Sequence, residues 1–428
     1  MTPEEAIAYI ENFTWSTTRL GLDRTRELLS GLGDPQKKLR FIHVAGSNGK
    51  GSTCAMLAAI FQAAGYRVGL YTSPYIQDFR ERIQINGESI PARRLAETTE
   101  KVRSVADAMA DHPSQFELIT AVGMLYFLDE QVDLVILEVG MGGELDSTNA
   151  IDSPECAVIC NIGLDHTEYL GKTIPQIAST KAGILKTGCD CVLYDGPAEA
   201  AQVVSERCRK LEIPLHRADF RELIPLREDL EGQSFLYRGK EYHLCLLGRY
   251  QLRNAAVVLE SVDAMRRRGW RIPDQAVEQG LDSARWPARM EILCRKPVFL
   301  LDGGHNPQCA EALTESLSVL FPDKRMIFLL GVLADKDYET EIDTLLPFGK
   351  EFICVTPPNP RALPGDKLAE RIRAQGGIAT AADHMDEAIW MALEAAGESE
   401  TVIAFGSLYL AGAVRSAFPD VWKSFSKK

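Results

Sequence analysis

The residues best equipped for chemistry in this 428-residue chain gather first in HVAGSNGKGST, residues 43–53. Glycines at 46, 49 and 51 permit positive φ and let a ligand approach the backbone closely. A buried strand that runs through such a turn into a helix aims successive amide N–H groups at one point, at the positive end of the helix dipole. That is a phosphate cradle. Lys50 would set a cation on the outer phosphates, and Ser52 and Thr53 supply hydroxyls. Gly46, Gly49, Lys50, Gly51 and Ser52 are therefore candidate phosphate contacts, with Asn48 in the same turn. The strict G-x-x-x-x-G-K-[ST] pattern is not met, because Val44 holds its first position and Gly51 follows the lysine. The dinucleotide order G-x-G-x-x-G is not met either. The segment reads as a variant mononucleotide loop, with an ordinary glycine-rich turn as the alternative. Glu138 is the second feature. It closes a strongly apolar run and precedes Gly140, Gly142 and Gly143. A carboxylate at the carboxyl end of a buried strand suits Mg²⁺ beside a phosphate loop, and a solvated strand-end acid is the alternative.

Elements must position these groups. Strands are expected at 41–45, 66–71, 133–139 and 156–162, with helices at 53–64, 90–111 and 117–130. Residues 211–247 are charged and rich in turn signals, and they read as a small antiparallel sheet appended to the first domain. A helix at 251–268 follows. Strands at 298–302, 326–331, 351–356 and 401–406, with helices between them, make a second α/β segment. The fold class is α/β: an N-terminal P-loop-type mononucleotide-binding domain carrying the small sheet, and a smaller C-terminal Rossmann-like domain. The boundary is placed near Arg295, giving 1–295 and 296–428.

Composition narrows the function classes. Hydrophobic residues make up 46% and charged residues 25%, ordinary for a globular protein, and the net charge of −13 leaves no basic excess for nucleic acid. No apolar run approaches a membrane span, and the start TPEEAIAYIENF reads as a capped amphipathic helix, not a signal peptide. The ten cysteines form no paired zinc pattern and read as reduced buried thiols, which suits the cytoplasm.

The blocks then fall into a recognisable order. AGSNGKGS resembles the AGTNGKGS loop of the folylpolyglutamate synthase/dihydrofolate synthase family, a branch of the Mur-ligase superfamily. TSPYIQDFRERIQING at 72–87, EVGMGGELDSTN at 138–149 and NIGLDHTEYLGKTIPQIASTKAGILK at 161–186 resemble further family blocks. So do LGRYQLRNA at 247–255, WPARME at 286–291, LLDGGHNP at 300–307, DKD at 335–337, PRA at 360–362 and GSLYLAG at 406–412.

The resemblance implies an ATP-dependent ligase. The γ-phosphoryl group passes to a pteroate or folate carboxylate, and the amino group of L-glutamate attacks the acyl phosphate. It implies Mg²⁺ held by Ser73, Glu138 and His166, although His166 would not be chosen for Mg²⁺ on its own chemistry. It implies a carbamylated Lys181, with Lys50, Lys181 and His166 as the catalytic set. Asn254, Arg289, Asp302 and His305 match nucleotide contacts. Phe116 offers the pterin a stacking face, Asp146 follows the Glu138 block, and Arg82 is a candidate partner for the substrate carboxylate. The glutamate pocket is expected in the second domain, and a cytoplasmic monomer is implied. Four positions depart from the family pattern: Tyr75, Glu144, Thr180 and Tyr250. Glu144 reverses a charge beside the expected pterin site. A Mur-type ligase of another substrate and a P-loop kinase or NTPase are the competing readings.

Overall fold

A computed structural model describes residues 1–12 and 21–427. The chain forms two compact units. One comprises Met1–Ile224, Phe235–Leu244 and Leu252–Ala284, and the other Pro225–Ser234, Cys245–Gln251 and Arg285–Lys428.

The first unit is built on eight strands: β1 (Phe41–Ala45), β2 (Val68–Tyr71), β3 (Ile83–Ile85), β4 (Glu88–Ser89), β5 (Leu134–Glu138), β6 (Cys156–Ile159), β7 (Asp190–Tyr194) and β8 (Leu215–Ala218). Their order in the sheet is β4-β3-β2-β5-β1-β6-β7-β8. The strands from β2 to β8 in that order pair in parallel, while β3 and β4 add an antiparallel edge. All five residues of β1 and of β5 are buried, which is why these strands read as continuous apolar runs. The register sets Val44 opposite Glu138 and Ala45 opposite Ile159. The loops leaving β1, β5 and β6 therefore emerge side by side at the carboxyl edge, where α/β sheets bind ligands.

Two features differ from the sequence expectation. Residues 215–218 do not open the small appended sheet; they form β8 and extend the main sheet in parallel. The charged residues that suggested an exposed sheet suit an edge strand equally well. The small sheet is β9 (Leu223–Asp229), β10 (Gly232–Tyr237) and β11 (Lys240–Leu244), in the order β11-β10-β9. Its two-residue connections require antiparallel neighbours. The hairpin of β3 and β4 was not expected as strands. Its turn is Asn86-Gly87 with φ of 50° and 82°, the pair that a type I′ turn favours.

Helices pack on both faces. Gln115–Asp129 starts at a capping box between Ser114 and Glu117, and Ile174–Ala182 at one between Thr173 and Gln176. The N-terminal helix is Pro3–Glu11, also boxed by Thr2 and Glu5; Phe13, the last residue of that expected segment, lies outside the described residues. No described helix is long and apolar enough to cross a membrane, and the ten cysteines are all free thiols.

The second unit carries β12 (Glu291–Arg295), β13 (Val298–Leu301), β14 (Met326–Leu330), β15 (Gly349–Cys354), β16 (Ala379–Ala381) and β17 (Thr401–Phe405), in the order β12-β13-β17-β14-β15-β16. Only β12 is antiparallel. The GSLYLAG block begins at the end of β17, where Ser407 caps the helix Leu408–Phe425 and donates to the Gly331 carbonyl at 3.0 Å.

The helix Lys50–Ala63, which carries the phosphate loop, is backed by the helix Asp274–Ser283. A Cβ on Gly280 would fall 2.5 Å from the Ile60 Cα, and backbone cannot yield as a side chain does. Gly280→Ala is expected to lower stability by about 1–3 kcal/mol, read as a fall in the thermal midpoint. An unchanged midpoint would show that the two helices are not in close contact.

Candidate active site

The phosphate loop is held open by its neighbours. Ser47 N–H donates to the Asn161 carbonyl at 2.8 Å, and Ser47 Oγ exchanges hydrogen bonds with Gly163, donating to its carbonyl at 2.8 Å and accepting from its N–H at 3.0 Å. Gly49 adopts φ 87° and starts the helix with no side-chain cap of its own, so the positive end of the helix opens directly onto the turn. Asn254 lies against this glycine: a Cβ there would be 2.6 Å from Asn254 Oδ1. Ser52 and Thr53 are buried in the first turn.

Two lysines share one acceptor. Lys50 Nζ donates to the Gly46 carbonyl at 3.0 Å, and Lys181 Nζ donates to the same oxygen at 2.9 Å. Lys181 is 3% exposed. Burial, then the Lys50 charge, pull its pKa down to about 7, against a smaller upward pull from Asp165.

Glu138, 4% exposed, accepts from the Ser73 N–H at 3.2 Å. Ser73 follows β2, whose Tyr71 stands opposite Leu137, so strand register alone brings the two together. Arg82 donates to Ser73 Oγ at 3.2 Å and lies under Tyr75 and Phe79, with ring centroids at 5.1 and 5.4 Å. It is 9% exposed, its Nε has no hydrogen-bond partner, and no carboxylate among the described residues pairs with it. His166 stands apart in character: its side chain is 41% exposed, its backbone is left-handed, and its Nε2 is 3.7 Å from Asp165. Among the described residues, no group of three His, Cys, Asp or Glu side chains is arranged to hold a metal.

The glycine segment after Glu138 links the remaining candidates. A Cβ on Gly140 would lie 2.4 Å from the Phe116 ring, and one on Gly143 would lie 2.8 Å from the Thr180 carbonyl and 3.1 Å from Lys181 Cα. The half-buried Phe116 ring also meets Tyr71 edge-on at 6.3 Å. Asp146 is buried and accepts from Met141 N–H at 2.8 Å and Thr148 Oγ1 at 2.5 Å. Burial raises its pKa despite these bonds. Sequence reasoning missed Ser47, Asp165, His43 and Thr148. For His43 a signal existed, a histidine in the middle of a strand that is otherwise apolar.

In the second unit, Asp302 directly follows β13 and accepts from Tyr250 Oη at 2.9 Å, Met290 N–H at 3.0 Å and Gly304 N–H at 2.8 Å. Arg289 sits between two residues with left-handed backbone, Ala288 and Met290, and donates to the Ala288 carbonyl at 2.8 Å. His305 Nδ1 is 3.2 Å from the Gly303 carbonyl. DKD and PRA also meet: Arg361 pairs with Asp335 at 2.8 Å.

The chain matches the Mur ligase middle domain over residues 44–262 and the Mur ligase glutamate ligase domain over residues 288–408. It is 36% identical to folylpolyglutamate synthase of Lacticaseibacillus casei, over 97% of this chain and 98% of that protein. It is 34% identical to dihydrofolate synthase/folylpolyglutamate synthase of Bacillus subtilis, over 95% and 98%. Among solved structures, Mycobacterium tuberculosis folylpolyglutamate synthase complexed with ADP and AMPPCP superposes with a TM-score of 0.89 at 30% identity, over 97% of this chain and 99% of that one. E. coli FolC in complex with DHPP and ADP gives 0.87 at 29% identity, over 98% of each.

The chain belongs to the folylpolyglutamate synthase/dihydrofolate synthase family of Mur ligases.

As a member of this ligase family it departs from the pattern at four places that the structure now explains in part. Tyr75 lies over Arg82 and donates to Glu11 at 3.2 Å. Thr180 turns its hydroxyl back onto the Gln176 carbonyl at 3.1 Å. Tyr250 is the phenol that binds Asp302, and burial with that carboxylate raises its pKa well above the usual tyrosine value. Glu144 projects to solvent while its N–H donates to the Thr180 carbonyl at 2.9 Å. Gly49→Ala tests the phosphate loop. A left-handed alanine costs about 1–2 kcal/mol, and its methyl would push on Asn254. Nucleotide binding measured by calorimetry is expected to weaken at least tenfold with the circular dichroism unchanged; wild-type affinity would remove this loop from the nucleotide site.

Proposed function

We propose that this protein joins L-glutamate to the carboxylate of a dihydropteroate or folate, as dihydrofolate synthase, folylpolyglutamate synthase or both, converting ATP to ADP and phosphate. One observation carries the reading. At the carboxyl edge of adjacent strands β2, β5 and β1 stand a buried guanidinium with no carboxylate partner among the described residues, a buried carboxylate and a lysine-bearing phosphate loop. An enzyme that phosphorylates a carboxylate must hold two anions close together, and needs cations and oriented amides to do so.

The amides of Gly49 to Ser52 and the Lys50 ammonium bind the β- and γ-phosphates. Arg82 holds the pteroate or folate carboxylate. One carboxylate oxygen bonds to the γ-phosphorus as the β–γ bridge breaks, and its electron pair leaves with ADP. The glutamate amine then attacks the acyl carbon and loses a proton. The carbon–oxygen bond breaks and phosphate departs. Phe116 and Asp146 line the pteridine side. The family resemblance adds Asn254, Arg289, Asp302 and His305 as candidate nucleotide contacts. We assign ATP and folate to residues 1–295 and glutamate to 296–428, with support from the glutamate ligase match at 288–408. A monomer in the cytoplasm completes the proposal, on the family resemblance alone.

The donor set suits Mg²⁺ in its oxygen members: the Glu138 carboxylate and the Ser73 hydroxyl are the hard ligands this ion selects, with His166 the weaker fit. When bound, the ion would neutralise phosphate charge that otherwise repels the incoming carboxylate.

The decisive experiment is ADP release from Mg²⁺-ATP with dihydropteroate or tetrahydrofolate, each with and without L-glutamate. ADP that needs both acceptor and glutamate supports the ligase, and the responding pteridine names the activity. ADP indifferent to both indicates an NTPase instead. Lys50→Ala should abolish turnover with the fold intact, and Glu138→Gln should raise the Mg²⁺ requirement sharply; an unchanged Mg²⁺ dependence would take Glu138 out of the metal site.

Lys181 is proposed to be carbamylated, its neutral amine adding to CO₂ with loss of a proton. Only the neutral amine reacts. With a pKa of about 7, the reactive fraction is small at pH 6 and dominant at pH 8. A ¹³C carbamate signal from ¹³C-bicarbonate, lost in Lys181→Met, should therefore grow between pH 6 and 8. A signal absent at every pH would leave Lys181 as a plain cation.

A further inference from the structure

His43 is the central residue of β1 and is wholly buried. Its Nε2 lies 2.9 Å from Thr148 Oγ1, although 105 residues separate the two in the chain. Thr148 Oγ1 lies 2.5 Å from Asp146 Oδ1, which also accepts the Thr148 N–H at 3.1 Å. The other carboxylate oxygen accepts the Met141 N–H at 2.8 Å. The far ring nitrogen of His43, Nδ1, has no hydrogen-bond partner.

Proton counting fixes the direction of this chain. Thr148 has one hydroxyl proton. An ionised Asp146 can only accept, so that proton must point to Asp146. Thr148 Oγ1 then has only lone pairs to offer, and His43 Nε2 must be the donor. Nδ1 is left as a bare acceptor in the core. The opposite direction would bury an N–H at Nδ1 with nothing to receive it, and orphaned donors are rarer in folded proteins than orphaned acceptors. An imidazolium would bury the same orphan and a charge besides. Burial accordingly pulls the His43 pKa down to about 3, so the ring is neutral at any working pH.

We infer that His43 is a positioning residue for the pteridine side of the site: by donating to Thr148 it commits the threonine proton to Asp146, which in turn holds the Gly140–Gly143 segment against the Phe116 ring. The inference rests on the reading of Phe116 and Asp146 as the pteridine wall. Among the described residues Asp146 has no other side-chain donor in hydrogen-bond contact, and through the backbone N–H groups of Gly140 and Met141 it holds the segment that faces the ring. Without the histidine donor the threonine hydroxyl can turn, and the glycine segment loses the contact that sets its distance from the ring. The phosphate loop begins three residues beyond His43, yet none of these bonds touches it.

Two variants and one spectrum test this. His43→Leu removes the donor, whereas His43→Gln keeps an N–H at the reach of Nε2. His43→Leu is expected to raise KM for the pteridine acceptor about tenfold, with KM for ATP and L-glutamate within about twofold, and His43→Gln is expected to recover most of the loss. An unchanged pteridine KM, or an equal rise for all three substrates that glutamine does not rescue, would overturn the role. Selective ¹⁵N-histidine NMR of the wild-type protein does not depend on either variant folding. One imidazole should hold the neutral Nε2–H form from pH 6 to 8.5, and an Nδ1–H form or an imidazolium in its place would refute the direction of the chain. Wild-type turnover with no pteridine dependence would instead overturn the ligase reading, while the spectrum would still decide the hydrogen-bond direction.

Discussion

Two ammonium groups converge on the carbonyl oxygen of Gly46, and much of the first unit serves that convergence. Like charges brought together away from water repel, and one of them must yield its proton or find an anion. Lys50 comes with the helix that the phosphate loop initiates. Lys181 comes from the helix Ile174–Ala182, 135 residues away from the shared oxygen. Holding both requires that β1 sit between β5 and β6, that Ser47 be tied to the loop after β6, and that Gly143 let the lysine-bearing turn pack closely. Two lysines held at one carbonyl concentrate positive charge at the turn, which is the electrostatic character that favours a ligand with several negative charges.

The glycines at 140 and 143 do for packing what the lysines do for charge. They replace side chains with contact distance, so the Phe116 ring and the Lys181 turn close on one short segment from different directions. A residue larger than glycine at either place would have to displace an aromatic ring or a helix backbone. The region around Glu138 is thus defined as much by missing side chains as by those present.

What the sequence revealed and what it hid follow from the range of the interactions. The phosphate loop and Glu138 were legible because each announces itself locally, by glycine spacing or by an acid closing an apolar run. Strand order then placed them together without further information. Lys181 read alone was an ordinary helical lysine, because its burial and its lowered proton affinity come from groups far off in the chain. The burial of Arg82 with its Nε unpartnered among the described residues is likewise a property of the fold, as is the link between His43 and Thr148. The assignment of 215–218 to the small sheet failed for a related reason. An edge strand of a parallel sheet and a strand of a small exposed sheet carry the same half-polar pattern, and only the partner distinguishes them. The β3–β4 hairpin was different: Asn86-Gly87 was a local signal, absorbed into a motif instead of being read as a turn.

That hairpin also decides how the main sheet ends. An eight-stranded sheet has two open edges, and an open edge is a template on which another chain can build. Here the outermost strand on one side is β4, only Glu88–Ser89 long, too short to direct pairing with a neighbour. The other edge, β8, carries an exposed Arg217 and is four residues long. Both margins are poor nuclei for strand-to-strand growth, so the almost wholly apolar interior strands are flanked by rims that offer another chain little to pair with.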